Sequence, residues 1–475
     1  MGRNRVTARS GRFGHNFVGV VRRFAHDRCA SMSFLHESRL TLRLAVPLMI
    51  GQLSQMLMGV VDTLMVGKLG VTELAALTFA NSLFHVPFVF GIGLLSAVSV
   101  FSSNARGSDD AAKARGSCLD GLWMALWIGL LLFAVAWVVS MRLDWFRQPP
   151  EVAASMVGYF RIVMASMVPA LASIALKNHA DALNRPWPPF WIFLGGVLLN
   201  VVLNWLLIYG NMGFPKLGFE GAAWATLIAR TAILVAMLVW LRHAGLNDWV
   251  PESWLRLGKL AGMKKLMTIG APASLQMLSE VAAFSVTGLI MGRFGREAMA
   301  GHQIAITLAG LAFMVPLGLS MALTVRVGEA HGAGEMHRLS PIVRSGWFLL
   351  LVYGVIAAGS FLLFGREMAL AFTPATEVVG IAASMLMIVG IFQVFDGLQV
   401  GSSSMLRGLH DARMPALIGF VAYWIAGLPV AAWLAFRGGL GAPGVWWGLA
   451  AGLFVACATL GPRLWFRVRR DTPSA

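Results

Sequence analysis

Apolar stretches of about 20 residues follow one another from residue 44 to residue 462, and a stretch of that length and composition satisfies its backbone as a helix across a bilayer. Hydropathy and turn residues place twelve of them at 44–67, 74–103, 117–141, 152–176, 188–209, 218–241, 266–292, 297–325, 345–364, 376–404, 414–436 and 442–462. The chain of 475 residues is 57% hydrophobic and 13% charged, against about 25% charged for a soluble domain. The expected fold class is therefore all-α and integral to a membrane, with 12 transmembrane helices.

The net charge of +16 raises the question of nucleic acid. The placement of the basic residues answers it. With the N-terminus cytoplasmic, only Lys68, Arg142, Arg147, Lys216, Arg293, Arg296, Arg366 and Arg437 face outward, and Arg161 and Arg230 fall inside spans; the rest of the 38 lie on the inner side. That bias puts both termini in the cytoplasm of a multi-pass inner-membrane protein. Lipid is the expected macromolecular partner and nucleic acid is not. Residues 1–40, rich in Arg and without an apolar core of signal-peptide length, are expected to be a disordered cytoplasmic extension, with Met32 as an alternative start. Cys29, Cys118 and Cys457 match no metal spacing and are expected to be reduced.

Displaced by about 225 residues, the chain partly matches itself. Pro47 falls on Pro272, Leu53 on Leu278, Gly67 on Gly292, Gly93 on Gly318 and Gly107 on Gly332; "LGFEGAAW" (217–224) parallels "LGAPGVWW" (440–447). Two pseudo-symmetric six-helix lobes follow, an N-lobe at 41–243 and a C-lobe at 264–466, with an inter-lobe linker at 244–263 and a cytoplasmic tail at 467–475. Parallel repeats with a site between rocking halves are a transporter plan.

Five ionisable residues lie well inside the spans: Asp62, Arg161, Arg230, Glu280 and Asp396. Each costs several kcal/mol unless it faces a cavity or a partner, so each is a functional candidate. The acids have polar company at helical spacing. Asp62 shares a face with Gln55, Glu280 follows Gln276 by one turn, Asp396 lies between Gln393 and Gln399, and Asn200 and Asn204 form an i, i+4 pair. A carboxylate withdrawn from water takes up a proton more readily, or binds Na⁺ with help from neutral oxygens. Ion pairing of the acids with Arg161 or Arg230 is the structural alternative.

The stretches "VPLMIGQLSQMLMGVVDTLMVGKLGVTELAAL" (46–77), "GAPASLQMLSEVAAFSVTGLIMGRFG" (270–295) and "FDGLQVGSSSMLRGLHDARMPALIGFVAYWIAGLPV" (395–430) resemble the multidrug and toxic compound extrusion (MATE) family, NorM-like branch. The resemblance implies two six-helix lobes forming a V and a secondary active exporter of hydrophobic, often cationic drugs, coupled to Na⁺ or H⁺. It places Asp62, Asn200, Asn204 and Thr226 in an N-lobe cation site and Glu280 and Asp396 in a C-lobe site. Gln55, Gln276, Gln393 and Gln399 are the expected polar cavity lining. No cofactor is expected beyond the coupling ion, and a monomer suffices. A lipid-linked oligosaccharide flippase of the same superfamily is the alternative, but it would want a basic cavity where this chain has three acids against two arginines. The sequence carries no P-loop, HExxH or GxSxG, and nothing in it points to an enzyme.

Overall fold

The computed structural model describes residues 11–146, 149–246 and 248–471, with side chains from Phe34 onward except at 144, 150 and 471. Its helices are α1 (Gly11–Gly67), α2 (Val71–Gly107), α3 (Ala111–Val139), α4 (Pro150–Ala165), α5 (Met167–Ala182), α6 (Trp187–Tyr209), α7 (Phe219–His243), α8 (Leu260–Met291), α9 (Arg296–Gly332), α10 (Met336–Leu370), α11 (Thr376–Gly408), α12 (Arg413–Phe420), α13 (Leu428–Phe436) and α14 (Gly441–Asp471). They supply 12 candidate membrane spans among the described residues, as expected.

Most helices run past the ends that hydropathy marks. α9 has 37 residues, or about 55 Å at 1.5 Å per residue, well beyond a hydrocarbon core of about 30 Å. The excess lies on the side of the molecule that holds the N-terminal part of α1 and the C-terminal part of α14, here the terminal side. The expected extension at 1–40 overlaps α1 in the structure. α1 is helical from Gly11, and Glu37 and Thr41 are buried in the fold. Residues 1–10 and 472–475, parts of the expected extension and tail, lie outside the described residues.

Two spans are broken. The expected helix at 152–176 is interrupted at Ser166, where α4 ends and α5 begins; Pro169 in the first turn of α5 has no N–H to continue the earlier ladder. Between α12 and α13 a π-helical segment, Val421–Gly427, precedes Pro429. The proline ring cannot accept the carbonyl of Ile425 in a regular turn, and the widened ladder accommodates it.

The internal repeat is realised as contact between the lobes. Gly93 packs against the Cα of Ser274, and its repeat partner Gly318 packs against the Cα of Met49, which is the repeat partner of Ser274. Gly107 lies on the carbonyl of Glu329, and Gly332 lies on the carbonyl of Asn104. A Cβ at any of these glycines would overlap the facing backbone, so only glycine permits the approach. The stretches of α1 and α8 around Pro47 and Pro272 cross between lobes in the same reciprocal way. Leu44, Ala45 and Leu48 bury in the C-lobe core beside Leu319 and Leu406. Leu266 and Ile269 bury in the N-lobe core beside Leu95 and Phe160. Pro47 and Pro272 lie at these crossings.

Polar contacts close the same seam. Ser274 Oγ donates to the carbonyl of Phe90 at 2.8 Å. Glu37 holds Arg326 and, at 3.0 Å, Arg338. Glu329 takes Arg106 at 3.7 Å and the Asn184 amide at 3.1 Å. The linker docks on the N-lobe: Val250 is buried, Trp123 Nε1 donates to the carbonyl of Arg256, and the Lys259 backbone N–H donates to Asp120. All these contacts lie on the terminal side. Toward the other side the lobes part, and Leu57, Val60 and Leu64 of α1 are exposed where Leu44 and Leu48 were buried.

Candidate functional site

Two polar clusters sit within the spans, one in each lobe, on the side where the lobes part. In the N-lobe, α1 brings Asp62 against α6. Asn204 Nδ2 donates to Asp62 Oδ1 at 2.6 Å and also meets Asn200 Oδ1 at 3.2 Å. Asn200 Nδ2 reaches Thr226 Oγ1 on α7 at 3.4 Å, and that hydroxyl donates to the carbonyl of Ala222. The i, i+4 spacing of the two asparagines puts both amides on one face of α6, and both are fully buried. The side-chain oxygen Asn204 Oδ1 is buried with no hydrogen-bond partner. The group thus gathers a carboxylate, two amide oxygens and a hydroxyl, a set of hard oxygen donors suited to Na⁺. Tyr159, stacked on Phe219 at 4.3 Å, lies within electrostatic reach of Asp62. Gln55 is half-buried on α1 and joins this group through no hydrogen bond among the described residues.

In the C-lobe, Glu280 Oε1 accepts from Gln276 Nε2 at 3.0 Å and from Gln399 Nε2 at 3.1 Å. Gln276 Oε1 in turn accepts from Ser403 Oγ at 3.0 Å and lies 3.5 Å from Arg407 Nη1. Arg407 is tied to Ser404 Oγ at 2.6 Å. Asp396 is buried one turn before Gln399 and within electrostatic reach of Glu280. Trp424, in the π-helical segment, donates to Ser279 Oγ at 2.9 Å and so anchors that widened turn beside Glu280. Gln393 does not join the cluster: its amide donates to the carbonyl of Ala309 at 2.8 Å, which fastens α11 to α9.

The arginines go elsewhere. Arg161 Nε donates to Ser140 Oγ and its guanidinium stacks over Trp137 at 4.4 Å. Arg230 donates to Ser166 Oγ at 2.7 Å and lies over Phe84 at 4.8 Å. Among the described residues no salt bridge engages Asp62, Glu280 or Asp396. The expected ion-pairing alternative takes no direct form: serine and aromatic faces hold both guanidinium groups, with Arg230 within electrostatic reach of Asp62.

Sequence reasoning missed Arg407, which ending the span at 404 left in a loop. The signal was there: Arg407 continues the stripe of Asp396, Gln399 and Ser403 at helical spacing. Three or more His, Cys, Asp or Glu side chains do not converge on any one point among the described residues.

The MatE family model matches residues 47–206 and 272–433, one match in each lobe. The chain belongs to the MatE family. The "Multidrug resistance protein NorM" of Burkholderia vietnamiensis is 38% identical over 427 residues, covering 87% of this chain and 90% of the relative. The "Probable multidrug resistance protein NorM" of Bradyrhizobium diazoefficiens is 36% identical over 441 residues, covering 90% and 93%. Among solved MATE structures, the Vibrio cholerae transporter VcmN in its bent form superposes with a TM-score of 0.83 at 23% identity, covering 93% of this chain and 99% of that one. An outward-facing multidrug resistance MATE transporter matches with a TM-score of 0.83 at 20% identity, covering 92% and 97%. These structural likenesses carry the MATE fold: 12 spans in two lobes.

Proposed function

We propose that the chain is a secondary active exporter that exchanges an inward-moving cation, Na⁺ or H⁺, for a hydrophobic and often cationic compound. The relatives named for multidrug resistance support the efflux reading. One observation carries the coupling: the three intramembrane acids make hydrogen bonds only to neutral amides or none and form no salt bridge, although Arg230 lies within electrostatic reach of Asp62 and Arg407 within reach of Glu280. A desolvated carboxylate that no guanidinium contacts directly favours arrival of a mobile cation. Asp62 with Asn200, Asn204 and Thr226 is the N-lobe cation site in this reading; Glu280 and Asp396 are the C-lobe site.

The physical cycle follows from competition for the same negative charge. A drug cation and a coupling ion cannot both neutralise one carboxylate, and each favours the lobe arrangement in which it is better held. An inward Na⁺ releases about 2.3 kcal/mol per 100 mV, enough for roughly a fiftyfold bias before any concentration gradient is counted. The relatives' names support this over movement of a pyrophosphate-linked sugar, and the absence of catalytic motifs in the sequence supports transport over enzymatic chemistry. The bias of basic residues supports an inner-membrane protein with both termini cytoplasmic, and a single copy carries both proposed sites.

Purified protein in proteoliposomes, loaded with ethidium and given a Na⁺ gradient or a pH gradient separately, tests the reading. Efflux driven by one gradient and lost in both Asp62→Asn and Glu280→Gln is the expected result. Full efflux from both variants, or efflux indifferent to either gradient, would remove the acids from the mechanism.

A further inference from the structure

On the terminal side a cavity of about 490 Å³ opens between α1, the turn joining α5 to α6, and the end of α9. Arg43, Arg185 and Arg326 line it, with Leu40, Leu44 and Trp187 among its apolar walls. Its lining includes no acid. Arg43 and Arg185 are exposed, and their guanidinium groups make no hydrogen bond or ion pair among the described residues. Arg326 is 7% exposed; it reaches Glu37 through Nη2, and its Nε is buried without a partner. Three arginines therefore line one hollow, and Arg326, though paired with Glu37, keeps a buried Nε without a partner.

The hollow lies where a span meets its headgroup region. Arg185 stands just before the first turn of α6, and Trp187 in that turn is 43% exposed. Tryptophan at that level marks a membrane interface. A second hollow of about 570 Å³ on the outer face of α1 shares Leu40 and Arg43 and adds His36 and Arg39. From there Val46 and Ile50 of α1 and Trp191 of α6 continue as exposed apolar surface. Phosphate oxygens match the arginine fork in geometry and charge, and the apolar track beyond matches acyl chains.

We propose that this cavity binds the phosphodiester headgroup of an anionic phospholipid and that the lipid holds the lobes together on the terminal side. The second half of the claim follows from how the site is built. Arg43 comes from the crossing helix α1, Arg185 and Trp187 from the N-lobe turn, and Arg326 from the C-lobe. If the lobes part on this side, the three guanidinium groups separate and the site is lost. A ligand that binds only the joined arrangement favours it by linkage. Binding rests on groups outside both cation clusters and is read without any transport assay, so it stands or falls separately from the export reading.

Protein purified in lipid-depleted micelles is titrated with dioleoyl phosphatidylglycerol, with dioleoyl phosphatidylcholine, or with inorganic phosphate alone, and bound lipid is counted by native mass spectrometry. The wild type is expected to retain phosphatidylglycerol over phosphatidylcholine, and Arg43→Gln/Arg185→Gln to bind it about thirtyfold more weakly. Arg43→Lys/Arg185→Lys, which keeps the charges, should recover most of that loss, and Arg293→Gln/Arg437→Gln on the opposite side should lose none. Spin labels at Lys68 and Arg293, placed in nanodiscs, should report a wider mouth with phosphatidylglycerol than with phosphatidylcholine. Wild-type binding by the double Gln variant overturns the site. Displacement of the lipid by millimolar phosphate overturns the lipid as its ligand, and an unchanged mouth overturns its hold on the lobes.

Discussion

Asn204 donates its amide to Asp62 at 2.6 Å while its own side-chain oxygen stays buried without a partner. The same residue thus fixes the carboxylate and leaves an acceptor unsatisfied beside it. A cation bound between the two would satisfy both.

The first prediction follows from that division of labour. Asn204→Ala removes the donor that orients Asp62 and the spare oxygen together. Losing one such bond to a charged group costs about 1.5–3 kcal/mol, which converts to roughly a tenfold to hundredfold loss in apparent cation affinity. Asn204→Asp restores an oxygen and adds a charge, so it should bind the coupling ion at least as well as the wild type. Cation dependence of ethidium efflux, read as the concentration giving half-maximal rate, separates the two variants. Equal half-maximal concentrations for wild type and Asn204→Ala would detach this amide from the cation site.

The second prediction concerns the reciprocal glycines. A Cβ at Gly93 or Gly318 meets the backbone of Ser274 or Met49, and forced overpacking costs about 1–3 kcal/mol. Because the contact exists only while the lobes meet on the terminal side, the cost falls on that arrangement and not on the lobes themselves. Gly93→Ala/Gly318→Ala should therefore narrow the distance between labels at Lys68 and Arg293 with little change in thermal unfolding. A large drop in melting temperature at unchanged distance would make these glycines simple packing sites.

Glu37 supplies the third. It is buried with Arg326, and Arg338 reaches it at 3.0 Å. Glu37→Gln strands a buried guanidinium, for which about 3–5 kcal/mol is typical. Glu37→Leu/Arg326→Leu removes both charges and should recover most of the loss. A cysteine introduced at Ser103, which packs on Gly328 across the seam, reports the outcome by its rate of alkylation: fast in Glu37→Gln, slow again in the double variant. Equal rates in the two would show that this pair does not hold the seam.

The architecture was legible because a bilayer demands long apolar helices and because duplication left matching residues in both halves. Gly93 and Gly318, noticed only as a repeat, prove to be where the lobes touch. The grouping of the polar side chains was legible for a similar reason: i, i+4 spacing on a helix already fixes which amides share a face, as at Asn200 and Asn204. What escaped depends on partners distant in sequence. Nothing near Glu37 announces that Arg326 will bury it, and Gln393 reads like its neighbour Gln399 until α9 presents the carbonyl of Ala309. The turn at Ser166 and the widened turn at Val421–Gly427 follow from prolines several residues downstream, whose effect on a membrane helix depends on what packs around it.

The last prediction is a pH dependence of the seam. His410, in the turn between α11 and α12, lies against Phe101 of α2 at 5.2 Å, with His331 of α9 at 5.7 Å, and Lys265 of α8 sits over the same Phe101 ring. Burial above all, then the neighbouring charges of His331 and Lys265, pushes the His410 ring down to about 4. Released into water it would titrate near 6.5. Between those values the separated arrangement binds more protons than the joined one, so the joined arrangement gains stability as pH rises through this window and loses it as pH falls. Its contribution is complete above about pH 6.5 and gone below about pH 4. Since His410 is an exposed residue despite these contacts, the effect is screened, and alkylation of Ser103→Cys should quicken by roughly threefold between neutral pH and about pH 5. His410→Gln, which keeps a polar side chain without a titrating ring, should flatten that profile. An identical rise in the His410→Gln background would assign the pH response to another group.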